Sequence, residues 1–337
     1  MASEFRYIWP PSQAAHSRHF AATLMTIPDA DLTVSARGLG RNYGSFSAVG
    51  GLDLQLKRGE ILGFLGPNGA GKSTSMQMLT GNLAPTAGEI AICGVDLLER
   101  PTAAKAHIGY LPETPPLYRE LNVREYIDLA ARLRRVPKAK RRAAVDNALV
   151  RCGLKDVARQ LIGTLSKGYQ QRVGIAQAIV HAPDVVVLDE PTIGLDPNQI
   201  RDIRQLIREL GQNHSVILST HILPEVETVC DRVQILHRGK TVFSDTIAAL
   251  KAFKSDRVVT LGLKRPPALE DLQRVQGVAS AEAAGGGNRF RLGLAGGFEA
   301  EALARIAVER NWGLFELVPS ATSLEEVFVD LTRKEQQ

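Results

Sequence analysis

Near its start the chain alternates apolar and polar positions in two blocks, Leu32-Thr33-Val34 and Leu52-Asp53-Leu54-Gln55-Leu56. Period two predicts strands with one buried face. Three further blocks are apolar without alternation: Ile61-Leu62-Gly63-Phe64-Leu65, Val185-Val186-Val187-Leu188 and Val216-Ile217-Leu218. Runs this short and continuous predict strands of a parallel sheet buried on both faces. Thr74-Ser75-Met76-Gln77-Met78-Leu79 opens without a breaker and predicts a helix, and a helical pattern fills about 123–163.

After Asp245 the composition shifts. Predicted there are a strand over 257–263, a helix over 268–275, and a strand over 289–294 after the turn Gly285-Gly286-Gly287-Asn288. A helix over 299–310, a strand over 313–318 and a last amphipathic helix over 323–332 complete the series. This order fits a small α+β unit of split βαβ type. The chain thus divides into an extension at 1–30, a core at 31–245 and an accessory domain at 255–337. The extension has Pro10-Pro11, His16 and His19 but little periodicity, and it lacks the apolar run of a secretory signal. Disorder, or a translation start at Met25, is the expectation for it.

At 337 residues and 44% hydrophobic, the chain is long enough to bury a full α/β core. No apolar run approaches the roughly 20 residues that span a bilayer, so any translocation path lies on another chain. Cys93, Cys152 and Cys230 are odd in number and lack metal-ligand spacing, which suits reduced thiols in a cytosolic compartment. The net charge of +5 brings in nucleic acid as a partner class. The densest basic tract, Arg132 to Arg142, has no aromatic interleaving and reads more simply as a solvated or membrane-facing helix pair.

The chemistry begins at Gly66-Pro67-Asn68-Gly69-Ala70-Gly71-Lys72-Ser73-Thr74, which fits the phosphate-loop pattern G-x-x-x-x-G-K-[ST] at every fixed position. The glycines allow a tight turn whose N–H groups face phosphate oxygens, Lys72 adds a point charge, and the Ser73 hydroxyl can ligate Mg²⁺. At the end of the second buried run stand Asp189 and Glu190. Open α/β sheets bind ligands at this edge. Asp189 is placed to serve the Mg²⁺ shell, and Glu190, facing the other way, to polarise an attacking water.

Between these motifs lies Leu165-Ser166-Lys167-Gly168-Tyr169-Gln170-Gln171-Arg172, followed by Asp189-Glu190-Pro191-Thr192, Gly194-Leu195-Asp196 and Ser219-Thr220-His221. In this order, over about 31–245, the chain resembles the ATP-binding subunits of ABC transporters. The resemblance implies a P-loop α/β core with an antiparallel β subdomain and a helical insertion, ahead of the small α+β C-terminal domain. It further implies ATP and Mg²⁺ as cofactors, and two subunits that sandwich ATP head to tail. Ser166, Lys167, Gly168 and Tyr169 of one subunit would then meet the nucleotide of the other, and Asp196 would bridge the two sites. His221 would contact the γ-phosphate and hold water with Glu190, and Tyr43 would stack on adenine. A membrane permease is the implied partner, a homodimer the implied state, the cytoplasmic face of the membrane the implied place, and no nucleic acid is expected.

Two departures matter. Glu113, in Ile108-Gly109-Tyr110-Leu111-Pro112-Glu113, stands where the family usually has glutamine; it can ligate Mg²⁺ but cannot donate an N–H. Lys167 and Tyr169 replace the commonest glycine and glutamine of the signature, and with Leu324-Glu325-Glu326-Val327-Phe328 they resemble an exporter subgroup that includes gliding-motility-associated subunits. Pro115-Pro116-Leu117-Tyr118 comes soon after Glu113, and the resemblance implies a groove there for a short helix of the permease, with Leu117 and Tyr118 expected to line it; packing of both against the core is the alternative. The function read from the sequence is ATP hydrolysis driving export. Import, a nucleic-acid or ribosome role, and a non-transport mechanical role are the alternatives.

Overall fold

The computed structural model describes residues 31–250, 258–284, 286–295 and 298–319. The extension at 1–30 and the expected helix at 323–332 lie outside the described residues. Strands β1 (Leu32–Tyr43), β2 (Phe46–Lys57), β4 (Ala87–Ile92) and β5 (Val95–Asp96) form an antiparallel sheet in the order β2-β1-β4-β5. Its alternation is the predicted one: Leu52, Leu54 and Leu56 are buried while Asp53 faces out.

A second sheet of six strands carries the site. It contains β3 (Ile61–Leu65), β6 (Ile108–Leu111), β7 (Val185–Asp189), β8 (Ser215–Thr220), β9 (Arg232–His237) and β10 (Lys240–Thr246). The order is β10-β9-β3-β8-β7-β6, parallel throughout except for the β9–β10 hairpin. Because side chains alternate across a strand, this sheet separates two cores. Val186, Leu188, Val216 and Leu218 face the helical side, while Val185, Val187, Leu62, Phe64 and Ile217 face the antiparallel sheet and the helix after β3. Continuous apolar runs follow from burial on both faces.

The helices are α1 (Lys72–Leu79), α2 (Pro101–Ala106), α3 (Val123–Leu133), α4 (Lys138–Arg151), α5 (Lys167–Ile179), α6 (Pro197–Gly211) and α7 (Leu223–Val229). On α6 the buried residues are Ile203, Leu206, Ile207 and Leu210, the i, i+3, i+4, i+7 stripe of an amphipathic helix. Each such burial contributes about 1.5–3 kcal/mol. The predicted insertion is α3 and α4, and α3 starts in a reciprocal cap: Asn122 Oδ1 accepts from the Glu125 N–H at 2.9 Å, and Glu125 Oε2 accepts from the Asn122 N–H at 3.0 Å.

Helix α5 lies unusually close to β6. A Cβ on Gly109 would sit 2.2 Å from the Ala178 carbonyl oxygen, and one on Gly174 would sit 2.5 Å from Leu111. Two glycines therefore set the distance between the signature helix and the strand that leads to Glu113.

Past residue 257 come β11 (Val258–Leu263), α8 (Leu269–Gln273), β12 (Val278–Ala283), β13 (Arg289–Leu294), α9 (Ala300–Glu309) and β14 (Leu314–Pro319). The strands are antiparallel in the order β12-β13-β11-β14, a split βαβ arrangement over a core of its own that includes Leu261, Leu272, Leu292, Leu303 and Trp312. The sequence reading lacks β12. That edge strand buries only Ala281, so its alternation carries almost no apolar signal.

Gly109→Ala should move α5 off β6 and lower stability by about 1–3 kcal/mol, the usual cost of overpacking a filled core. Urea unfolding checks this; a midpoint equal to wild type would show that the helix yields without cost.

Candidate nucleotide-binding site

The loop from β3 to α1 is built to approach other groups closely. Gly69 and Gly71 have φ of +80° and +101°, and a Cβ on Gly71 would stand 2.7 Å from the Ala48 carbonyl oxygen. At Gly66 a Cβ would meet the Leu236 carbonyl oxygen at 2.6 Å. A side chain is excluded at Gly66 and Gly71 by these backbone oxygens, while at Gly69 the positive φ alone favours glycine. Ala70 is buried beneath the loop, where its carbonyl accepts from the Gly239 N–H at 2.9 Å. Helix α1 then starts at Lys72 with Gly71 as N-cap, no side-chain cap and no acidic residue in its first turn. Such an end offers N–H groups and the positive pole of the helix to an anion.

Lys72 is buried, and its Nζ donates to the Gly66 carbonyl at 2.7 Å and to the Pro67 carbonyl at 3.3 Å. The same ammonium lies 3.4 Å from Glu190 Oε1. The other carboxylate oxygen, Glu190 Oε2, is 2.9 Å from His221 Nδ1. A chain of Lys72, Glu190 and His221 therefore crosses the cleft. Its walls include Pro67, Asn68, Gly69, Gly71, Ser73, Thr74 and Glu113, around a volume of about 470 Å³.

Glu190 itself has φ +48°, a conformation rare outside glycine, and its N–H donates to the Ser219 carbonyl at 2.9 Å. The left-handed turn ends β7 and redirects the carboxylate into the cleft. Asp189, one residue earlier, is buried, and its Oδ1 has no hydrogen-bond partner in the protein. Burial raises its pKa, the charges of Glu190 and Glu113 add to the rise, and the Ser219 and Ser73 hydroxyls oppose it. An unpartnered buried carboxylate oxygen beside a hydroxyl fits a hard cation such as Mg²⁺. Burial pushes the neighbouring Tyr110 phenol up to about 12, with the charges of Asp189 and Glu113 adding to the rise, so it stays neutral.

The other expected site residues lie apart from this cleft. Tyr43 ends β1 with the Arg41 guanidinium 4.8 Å over its ring, and the aromatic that lines the cleft is Phe46, three residues on. Ser166 caps α5, which starts at Lys167; the Tyr169 N–H points at Ser166 Oγ from 3.5 Å. Gly168 packs on Gln199 of α6, and Lys167 lies against Gly194. Asp196 caps α6, accepting from the Asn198 and Gln199 N–H groups at 3.0 Å each. Signature and phosphate loop thus occupy separate places on one chain.

Comparison with known proteins agrees with this geometry. The family model described as ABC transporter matches residues 49–193. The bacitracin transport ATP-binding protein of Bacillus licheniformis is 39% identical over 209 residues, 61% of this chain and 67% of that protein. The daunorubicin resistance ATP-binding protein of Streptomyces coeruleorubidus is 35% identical over 66% of this chain and 71% of its own length. Among solved structures, an ATP-binding subunit of an ABC transporter aligns with TM-score 0.60 and 31% identity over 66% of this chain and 92% of that one. A dimeric ATP-binding cassette in a post-hydrolysis state, bound to ADP and phosphate, aligns with TM-score 0.57 and 25% identity over 64% and 98%. The chain belongs to the ATP-binding subunits of ABC transporters. It is an ATPase of that family, whose subunits dimerise and work with membrane permeases.

Several residues of the cleft escaped the sequence reading. Phe46, Ala48 and Ile193 line it, yet each is an isolated apolar residue with no motif of its own. Thr192 and Thr220 stand inside recognised motifs, but only the fold brings both onto the buried Glu225.

A carboxylate that holds its proton more tightly folded than unfolded costs stability above its folded pKa and nothing below its ordinary value of 3.8. Asp189→Asn should therefore raise the Tm of the protein at pH 7 without nucleotide or Mg²⁺. The gain should shrink as the pH falls towards 4, as followed by calorimetry.

Proposed function

We propose that the subunit hydrolyses ATP at the interface of a homodimer and drives export through a separate membrane permease. The observation that carries this reading is the chain from Lys72 through Glu190 to His221, set before the uncapped start of α1. In it, the phosphate loop from Gly66 to Thr74 cradles the phosphates while Lys72 leaves its loop carbonyls for phosphate oxygen. Glu190 accepts a proton from water, the water oxygen bonds to the γ-phosphorus, and ADP departs as the other product beside inorganic phosphate. His221 holds the carboxylate and the water in line. Asp189, Ser73 and Glu113 would hold Mg²⁺, which when bound neutralises charge on the β- and γ-phosphates.

Ser166, Lys167, Gly168 and Tyr169 complete the site from the second copy, with Asp196 as the bridge between copies. The distance of these residues from the cleft of their own chain supports this. Adenine stacks on Tyr43 once the Arg41 guanidinium moves aside, with Phe46 on the wall. Export is favoured by relatives named for bacitracin transport and daunorubicin resistance. In this reading the subunit sits at the cytoplasmic face of the membrane beside a separate permease; no helix among its described residues is long and apolar enough to cross a membrane. Residues 31–245 are the motor in this reading, and 255–337 form an accessory domain. A nucleic-acid role has less support, because several arginines of the basic tract are engaged locally: Arg132 with Asp128 at 2.6 Å, Arg134 with the Lys105 carbonyl and Arg141 with the Val136 carbonyl.

Two variants separate the roles. Glu190→Gln should bind ATP normally and lower kcat by roughly 10²–10⁴-fold, stalling as a dimer visible in size-exclusion chromatography. Lys72→Ala should instead lose at least about tenfold in ATP affinity. Full turnover by Glu190→Gln would overturn the assignment of the base.

The permease groove has its own test. Tyr118 is half exposed and meets Tyr126 edge-on with ring centroids 6.0 Å apart, while Leu117 packs partly against the core. Tyr118→Asp should abolish co-purification with the permease while ATP affinity stays within about twofold. A large fall in Tm with association retained would place Tyr118 in the core.

A further inference from the structure

Glu225 is a carboxylate without a stated task. It sits on the first turn of α7, is 1% exposed, and does not line the nucleotide cleft. Burying a charge of this kind is costly unless hydrogen bonds and a counter-charge satisfy it. Its partners come from three different segments. The Thr192 hydroxyl donates to Oε1 in a short hydrogen bond, the Thr220 hydroxyl donates to Oε2 at 2.8 Å, and Arg204 Nη2 of α6 lies 3.7 Å from Oε1.

Two of these segments carry the proposed hydrolytic pair. Thr192 stands two residues after Glu190, in the loop that leaves the left-handed turn. Thr220 immediately precedes His221, and its hydroxyl oxygen also accepts from the Ile222 N–H at 3.1 Å, so it spans the turn that presents the imidazole. The 2.9 Å contact between Glu190 and His221 joins groups 31 residues apart, and it survives only if both loops keep their positions. Behind that contact, Glu225 clamps one loop with each oxygen. The third partner, Arg204, belongs to the helix capped by Asp196, so the clamp is also tied to the helix that begins at the proposed dimer bridge.

We infer that Glu225 is a positioning residue for ATP hydrolysis, holding the loops of Glu190 and His221 in register from behind the site. The inference rests on the reading of Glu190 and His221 as the hydrolytic pair. It predicts a loss in turnover with little change in binding, because the phosphate loop and α1 do not depend on this carboxylate. Misplacing a reacting group by about 1 Å can cost on the order of 10²-fold in rate.

The test is steady-state ATPase kinetics and ATP binding on the full chain. Glu225→Ala should lower kcat by about 10–100-fold with KM and Kd for ATP within about threefold. Glu225→Gln keeps the shape and can still accept from one threonine while donating to the other, so kcat should recover to within about tenfold of wild type. Placed on Glu190→Gln, Glu225→Ala should cause little further loss, since a pair already broken cannot be misaligned again. Thr192→Val and Thr220→Val each release one loop and should each lower kcat by about 3–10-fold, which keeps the inference testable if Glu225→Ala does not fold. Wild-type kcat in Glu225→Ala, or in both threonine variants, would overturn it. So would equal losses in kcat and ATP affinity, or a further full loss on top of Glu190→Gln. If Glu190→Gln alone turned over normally, the underlying reading of the site would fail instead.

Discussion

The buried contact between Lys72 and Glu190 is the interaction on which the site depends. An ammonium and a carboxylate 3.4 Å apart, both nearly removed from solvent, interact far more strongly than a surface pair, yet each also has a task in the proposed reaction. Lys72 is shared between this carboxylate and the loop's own carbonyls, and Glu190 between Lys72 and His221. In the proposed reaction, arriving phosphates compete with these contacts for the lysine. The carboxylate that is released already faces the imidazole and the phosphate loop.

That contact exists because two strands of one parallel sheet end at the same level. The registers of β3 with β8 and β8 with β7 place Leu65, Thr220 and Asp189 at neighbouring strand ends. Phosphate loop, carboxylates and histidine then leave from one edge. Above the edge, the fold adds the left-handed turn at Glu190 and the buried clamp at Glu225. Below it, both faces of the sheet are dry, so the edge is held by apolar packing from two independent cores. Gly109 and Gly174 carry the same rigidity to α5, whose start is the other half of the proposed composite site.

Much of this was legible in the sequence. Buried strands declare themselves by continuous apolar runs, and phosphate chemistry by a glycine spacing that few other constraints would produce. β12 was not legible, because an edge strand that buries one alanine leaves no periodic trace.

By itself the sequence determined the buried strands β3, β7 and β8, the phosphate loop, the paired carboxylates at Asp189 and Glu190, and the family, since each is written in local spacing. Tertiary structure alone decided which groups meet. The closure of His221 on Glu190, the place of Glu113 on the cleft wall, the approach of Phe46 and the convergence of Thr192, Thr220 and Arg204 on Glu225 join residues far apart in the chain. Such pairings depend on strand order and on burial. Neither is a property of any one segment, so no local pattern records them.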